Sequence, residues 1–105
     1  MSASRRLPRR LLAEVRRSLD TVARRALGLP YWGARGSPFR DHHDLLGRWL
    51  HGEEVPSREK LCAELVDLKE ALVLGAKMMQ VAVYRDDVLG TVQKIDRFIG
   101  GRDAE

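Results

Sequence analysis

Apolar residues recur along most of this chain at steps of three and four, the spacing that gathers them on one face of an α-helix. In residues 8–27, PRRLLAEVRRSLDTVARRAL, the residues Leu12, Val15, Leu19, Val22 and Ala26 share one side. Pro8 suits a first helical turn, Gly28 suits a stop, and Pro30 bars continuation. A second, shorter unit is predicted over 41–51, with Leu45, Leu46, Trp49 and Leu50 pointing inward and Gly52 ending it. Between these two, GLPYWGARGSPF (28–39) carries three glycines and two prolines and reads as a loop. Its large side chains, Tyr31, Trp32 and Phe39, are expected to fold back over the core.

Ser57 is a suitable N-cap for a third helix, with Glu59 in the favourable first turn. From there Leu61, Leu65, Leu68 and Leu72 form a stripe that Gly75, Met79 and Ala82 extend. A second register, Leu74, Met78, Val81, Val88, Val92, Ile95 and Ile99, takes over towards the C-terminus. One face does not run through, so the pattern predicts two helices, about 57–83 and 87–99, turning at YRDD with Asp86 as cap. A single long helix competes, because neither Gly nor Pro marks a turn there. Gly100-Gly101 closes the last element. Four amphipathic segments with short links bury their stripes most simply as an all-α, antiparallel four-helix bundle. Residues 1–7 are expected to be a flexible basic N-terminus and 100–105 a flexible tail of this single domain.

At 105 residues the core is small enough for a dimer contact or a bound ion to matter to stability. With 32% charged and 6% aromatic residues, the composition is that of a soluble helical protein, and no apolar run approaches a membrane span. The start, MSASRRLPRRLL, has the basic flank of a signal peptide but no apolar stretch after it. Its Arg- and Ser-rich character also suits a mitochondrial presequence, which Glu14 and Asp20 interrupt. The lone Cys62 cannot form an internal disulfide, so a cytoplasmic setting is expected.

Charge is unevenly divided. Residues 1–40 carry ten arginines and a net of +8; the remainder carries a net of −4. Arg9, Arg10, Arg16, Arg17, Arg24 and Arg25 on the first helix are the candidate surface for nucleic acid or an acidic partner. No helix-turn-helix spacing follows and no aromatic platform is interleaved, so a solvated face or an internal match to the acidic half is the plainer account. Catalysis is not expected. There is no Gly-rich phosphate loop, no nucleophile with a base, and no paired carboxylates in a recognisable frame.

The stretch DHHDLLGRWLHGEE (41–54), ahead of a long apolar helix, resembles the chemoreceptor zinc-binding (CZB) domains. Those are small four-helix bundles of bacterial chemoreceptors and diguanylate cyclases, also found free-standing, with the signature Cys-x-Leu-Gly-x-Trp. Leu46, Gly47, Trp49, Leu50 and Gly52 match its scaffold part, and the likeness spans about 8–99. The resemblance implies a sensory module that passes a signal through helix packing when an ion or oxidant alters a zinc site. The ligand positions depart from the pattern. Asp44 stands where the family has cysteine, its His-x-x-x-His pair falls on Leu65 and Lys69, and its first-helix histidine falls near Glu14.

Another zinc site, made by His42 or His43 with Asp44, Cys62 and a carboxylate of the first helix, is imaginable, but no spacing demands it. The histidines are otherwise solvated residues at a helix start, Asp44 a cap or dipole partner, and His51 a C-terminal dipole partner. Cys62 reads as a small buried apolar residue more simply than as a redox sensor. The function expected is a small sensory or regulatory CZB-like module, binding zinc or acting through a signalling protein or its own second copy. A basic nucleic-acid-associated protein is the alternative, and an assembly factor or chaperone gripping a partner helix the third.

Overall fold

The computed structural model describes residues 7–28 and 39–101. These form four helices: α1 (Arg9–Arg25), α2 (Arg40–Leu50), α3 (Arg58–Lys77) and α4 (Ala82–Ile99). No strand occurs among the described residues. The expected flexibility of the two termini falls largely on residues outside that set, as do Tyr31 and Trp32; Phe39 is buried as expected.

Local chemistry sets most of the boundaries. Pro8 precedes α1, whose Leu12 N–H returns to the Pro8 carbonyl. Gly28 and Gly52 follow α1 and α2 with φ of 70° and 77°, the left-handed region that glycine enters without a steric penalty. Ser57 caps α3 as predicted, its hydroxyl accepting from the Lys60 N–H at 3.1 Å.

The core is built from the predicted stripes. Leu12, Val15, Leu19 and Val22 of α1 meet Leu61, Leu65, Leu68 and Leu72 of α3 and Val88, Val92 and Ile95 of α4. Helix α1 touches all three others, and α3 with α4 share the largest interface. Gly75 lets α1 approach α3: a Cβ there would lie 2.7 Å from Val22 Cγ2, inside any permitted contact. Across α1 and α4 the partners run in opposite order, Glu14 with Lys94, Ser18 with Thr91 and Arg25 over Tyr84. These two helices therefore point in opposite directions.

The third and fourth helices differ from expectation. The break lies at 78–81, not at YRDD, so Tyr84, Arg85, Asp86 and Asp87 belong to α4 and Asp86 caps nothing. The continuous-helix alternative fails with it. At 100° per residue, a helix running from Leu72 to Val88 would place the two stripes about 160° apart, and one rod cannot face a common core with both. The last turn of α3 tightens through i to i+3 bonds, Met78 N–H to Gly75 and Met79 N–H to Ala76. Val81 is extended and restarts the chain as α4. The second register is consequently split: Val88, Val92 and Ile95 are buried, whereas Leu74, Met78 and Val81 stand in solvent.

Candidate functional site

The histidine-bearing helix α2 is short, 11 residues against 17 to 20 for the others. It is anchored by Leu46 and Trp49, which are 0% and 1% exposed, with Leu45 and Leu50 packed against the same core. The Trp49 indole donates to Glu54 Oε1 at 3.2 Å, so the chain leaving α2 is tied back to its anchor. At the same end Arg9 Nη1 donates to the Leu50 carbonyl at 2.6 Å and serves as a cap for α2.

His42 and His43 begin the exposed side of α2 and have opposite environments. His42 Nδ1 lies 2.6 Å from Glu64 Oε2 on α3, in a half-buried contact linking the two helices. That bond raises the His42 pKa above the ordinary 6.5 against the desolvation of the ring, with the charges of Glu64, Asp67 and Asp41 adding to it. His43 is lowered to about 4, first by burial and then by the Arg16 guanidinium, despite Asp44 at 3.0 Å. Near neutral pH His42 thus holds a proton more readily than a free imidazole, and His43 is neutral.

Of the other residues singled out in the sequence, the exposed Asp44 meets His43, and Cys62, a partly buried free thiol, packs against the core. Among the described residues, no three His, Cys, Asp or Glu side chains stand together as a metal site would need. The positions where the resemblance places ligands have other uses. Glu14 binds Lys94, Lys69 binds Asp96, and Leu65 is wholly buried. His51 is exposed at the end of α2. With Arg16, His43, Asp44 and Arg48 it lines a shallow groove of about 430 Å³ over Gly47.

The arginines of α1 are largely spoken for inside the fold. Arg17 binds Asp87 at 2.5 Å, Arg24 binds Asp20 at 3.0 Å, Arg25 lies 4.3 Å over the Tyr84 ring, and Arg9 holds the end of α2. Arg10 is exposed, and Arg16 is half-buried beside α2. Across α1 and α4 the ion pairs run both ways, Arg17 with Asp87 and Glu14 with Lys94.

Sequence reasoning missed three features. Ser18 and Thr91 hydroxyls meet at 2.7 Å in the α1–α4 interface, both buried. Ser18 lies between Val15 and Leu19 on the apolar face of α1, a signal that a polar partner was required opposite. Glu64 as the partner of His42 had no local sign, being 22 residues away. The third is a groove at the other end of the bundle, between the end of α1 and the 78–81 link.

Comparison with protein-family models, with curated proteins and with solved structures gives no match. No described helix is long and apolar enough to cross a membrane.

Proposed function

We propose that this chain is a small cytoplasmic regulatory module, related to the CZB domains in architecture but without their zinc cage, that acts on another protein through the seating of α2. The observation that carries this reading is the His42–Glu64 contact, an ionisable bond of 2.6 Å joining the short helix to α3. A proton or cation arriving at His42 changes the strength of one inter-helix link while the Trp49 anchor stays in place. The module then has a responsive element and a fixed pivot, which is what a helix-packing signal needs. The scaffold residues Leu46, Gly47 and Trp49 support the kinship; the uses of Glu14, Leu65 and Lys69 support the loss of the cage. The internal engagement of Arg9, Arg17, Arg24 and Arg25 favours a protein-facing role over a phosphate grip.

The test is a pH titration of untagged protein followed by amide and imidazole NMR, with metal analysis of the same sample. The expected outcome is a His42 transition above 6.5 accompanied by shifts along α2, both abolished by Glu64→Gln. An ordinary His42 titration that leaves the α2 amides unmoved overturns the reading. So does one zinc per chain held through His42.

A further inference from the structure

At the end of the bundle away from Trp49, four large apolar side chains stand in solvent. Leu74, Met78, Val81 and Val83 are between 53% and 68% exposed, on the last turn of α3, the link and the first turn of α4. Beside them lies a groove of about 400 Å³ walled by Arg24, Arg25 and Tyr84 and floored by Met79. The stretch 71–85, ALVLGAKMMQVAVYR, contains no acidic residue, and its Lys77 forms no ion pair among the described residues. Arg24 keeps a half-exposed side chain although it pairs with Asp20, and Arg25 is fixed in place over Tyr84.

We infer that this end is a docking site for an acidic amphipathic helix of a partner protein, independent of the α2 contact. Such a segment places its apolar face against Met78 and Val81 and its carboxylates against Arg24, Arg25 and Lys77. Methionine suits the role, since its unbranched thioether adapts to different apolar faces. Charge selects this occupant. A second copy docking by the same face would set the basic patch of Arg24, Arg25 and Lys77 opposite the same patch of its partner, a like-charge juxtaposition that opposes association. An anionic lipid surface meets a different obstacle. A groove accepts an inserted side chain, whereas a bilayer requires a convex tip.

The experiment uses the whole chain with three probes: a designed helical peptide of roughly 18 residues with a leucine stripe and glutamates elsewhere, the same peptide with lysines for glutamates, and phosphatidylglycerol vesicles. Binding is read by fluorescence anisotropy and by amide shifts. The acidic peptide is expected to bind with a Kd of order tens of micromolar, shifting residues 24–26 and 77–84, while the basic peptide binds at least about tenfold more weakly. Met78→Glu with Val81→Glu, both at exposed positions, is expected to weaken the acidic peptide by about tenfold or more with the helical content unchanged. Absence of acidic-peptide binding, equal binding of both peptides, shifts confined to residues 9–17, or binding of vesicles alone each overturn the assignment. So does a wild-type dimer, seen by light scattering, that the double variant converts to monomer.

Discussion

The two ends of this bundle both carry large apolar side chains and finish differently. At one end Trp49 is 1% exposed, its indole is bonded to Glu54, and Arg9 closes the last turn of α2. At the other, Leu74, Met78, Val81 and Val83 remain in water beside Arg24 and Arg25. The short α2, 11 residues long, packs mainly on α1 and seals only the first of these ends. Even at the open end Ala76, Met79 and Val88 face the common interior and are core, whereas Leu74, Met78, Val81 and Val83 point away from it and are surface. The contrast teaches that a stripe at helical spacing marks a face, while the neighbouring element decides whether the face is buried.

The comparison is most sharply broken at its sealed end. Trp49→Ala removes the largest buried side chain and is expected to destabilise the fold by about 3–5 kcal/mol, read by urea unfolding. A loss of under about 1 kcal/mol would mean that α2 is not held by this residue. Next is the α1–α4 seam. Ser18→Ala leaves the buried Thr91 hydroxyl with only its long 3.5 Å bond to the Asp87 carbonyl and is expected to cost about 1–2 kcal/mol, whereas Ser18→Ala with Thr91→Val should recover much of it. Additive losses in the double variant would show that the two hydroxyls do not act as a pair.

A smaller effect is set by pH. The raised His42 pKa stabilises the fold fully below about 6.5, and the benefit declines as pH rises through the higher folded value. His43 has the opposite sign: the unfolded chain takes up a proton near 6.5 that the folded chain refuses until about 4, so stability falls across that interval. Glu64→Gln is therefore expected to cost about 1 kcal/mol near pH 6 and progressively less in alkali, while His43→Gln flattens the acid-side loss. A Glu64→Gln deficit independent of pH would remove the ionic contribution. The smallest change belongs to the open end, where Met78→Ser or Val81→Thr should shift stability by no more than about 0.5 kcal/mol. A larger loss at either position would mean that this end is packed after all.

Much of the helical architecture was legible before any coordinates. Leu12, Val15, Leu19 and Val22 identify the buried face of α1, Ser57 the start of α3, and Trp49 the anchor of α2, because each depends on spacing or chemistry within a few residues. The candidate site was less legible. His42, His43 and Asp44 were visible as a polar cluster, but Glu64 is not adjacent in sequence and the Arg16 charge that lowers His43 comes from another helix. Cys62, close to Glu64 in sequence, faces the core edge instead of joining that contact.

Local sequence determined four amphipathic segments, the Ser57 cap of α3, the glycine stops and a basic first helix. The break at 78–81, the Ser18–Thr91 pair, the tie from His42 to α3 and the exposure of Leu74 were decided only by tertiary structure. The physical reason is that periodicity specifies an angle around one helix axis. Which angle becomes interior, and which polar atoms find each other there, depends on where residues 22 to 80 positions away arrive when the helices pack.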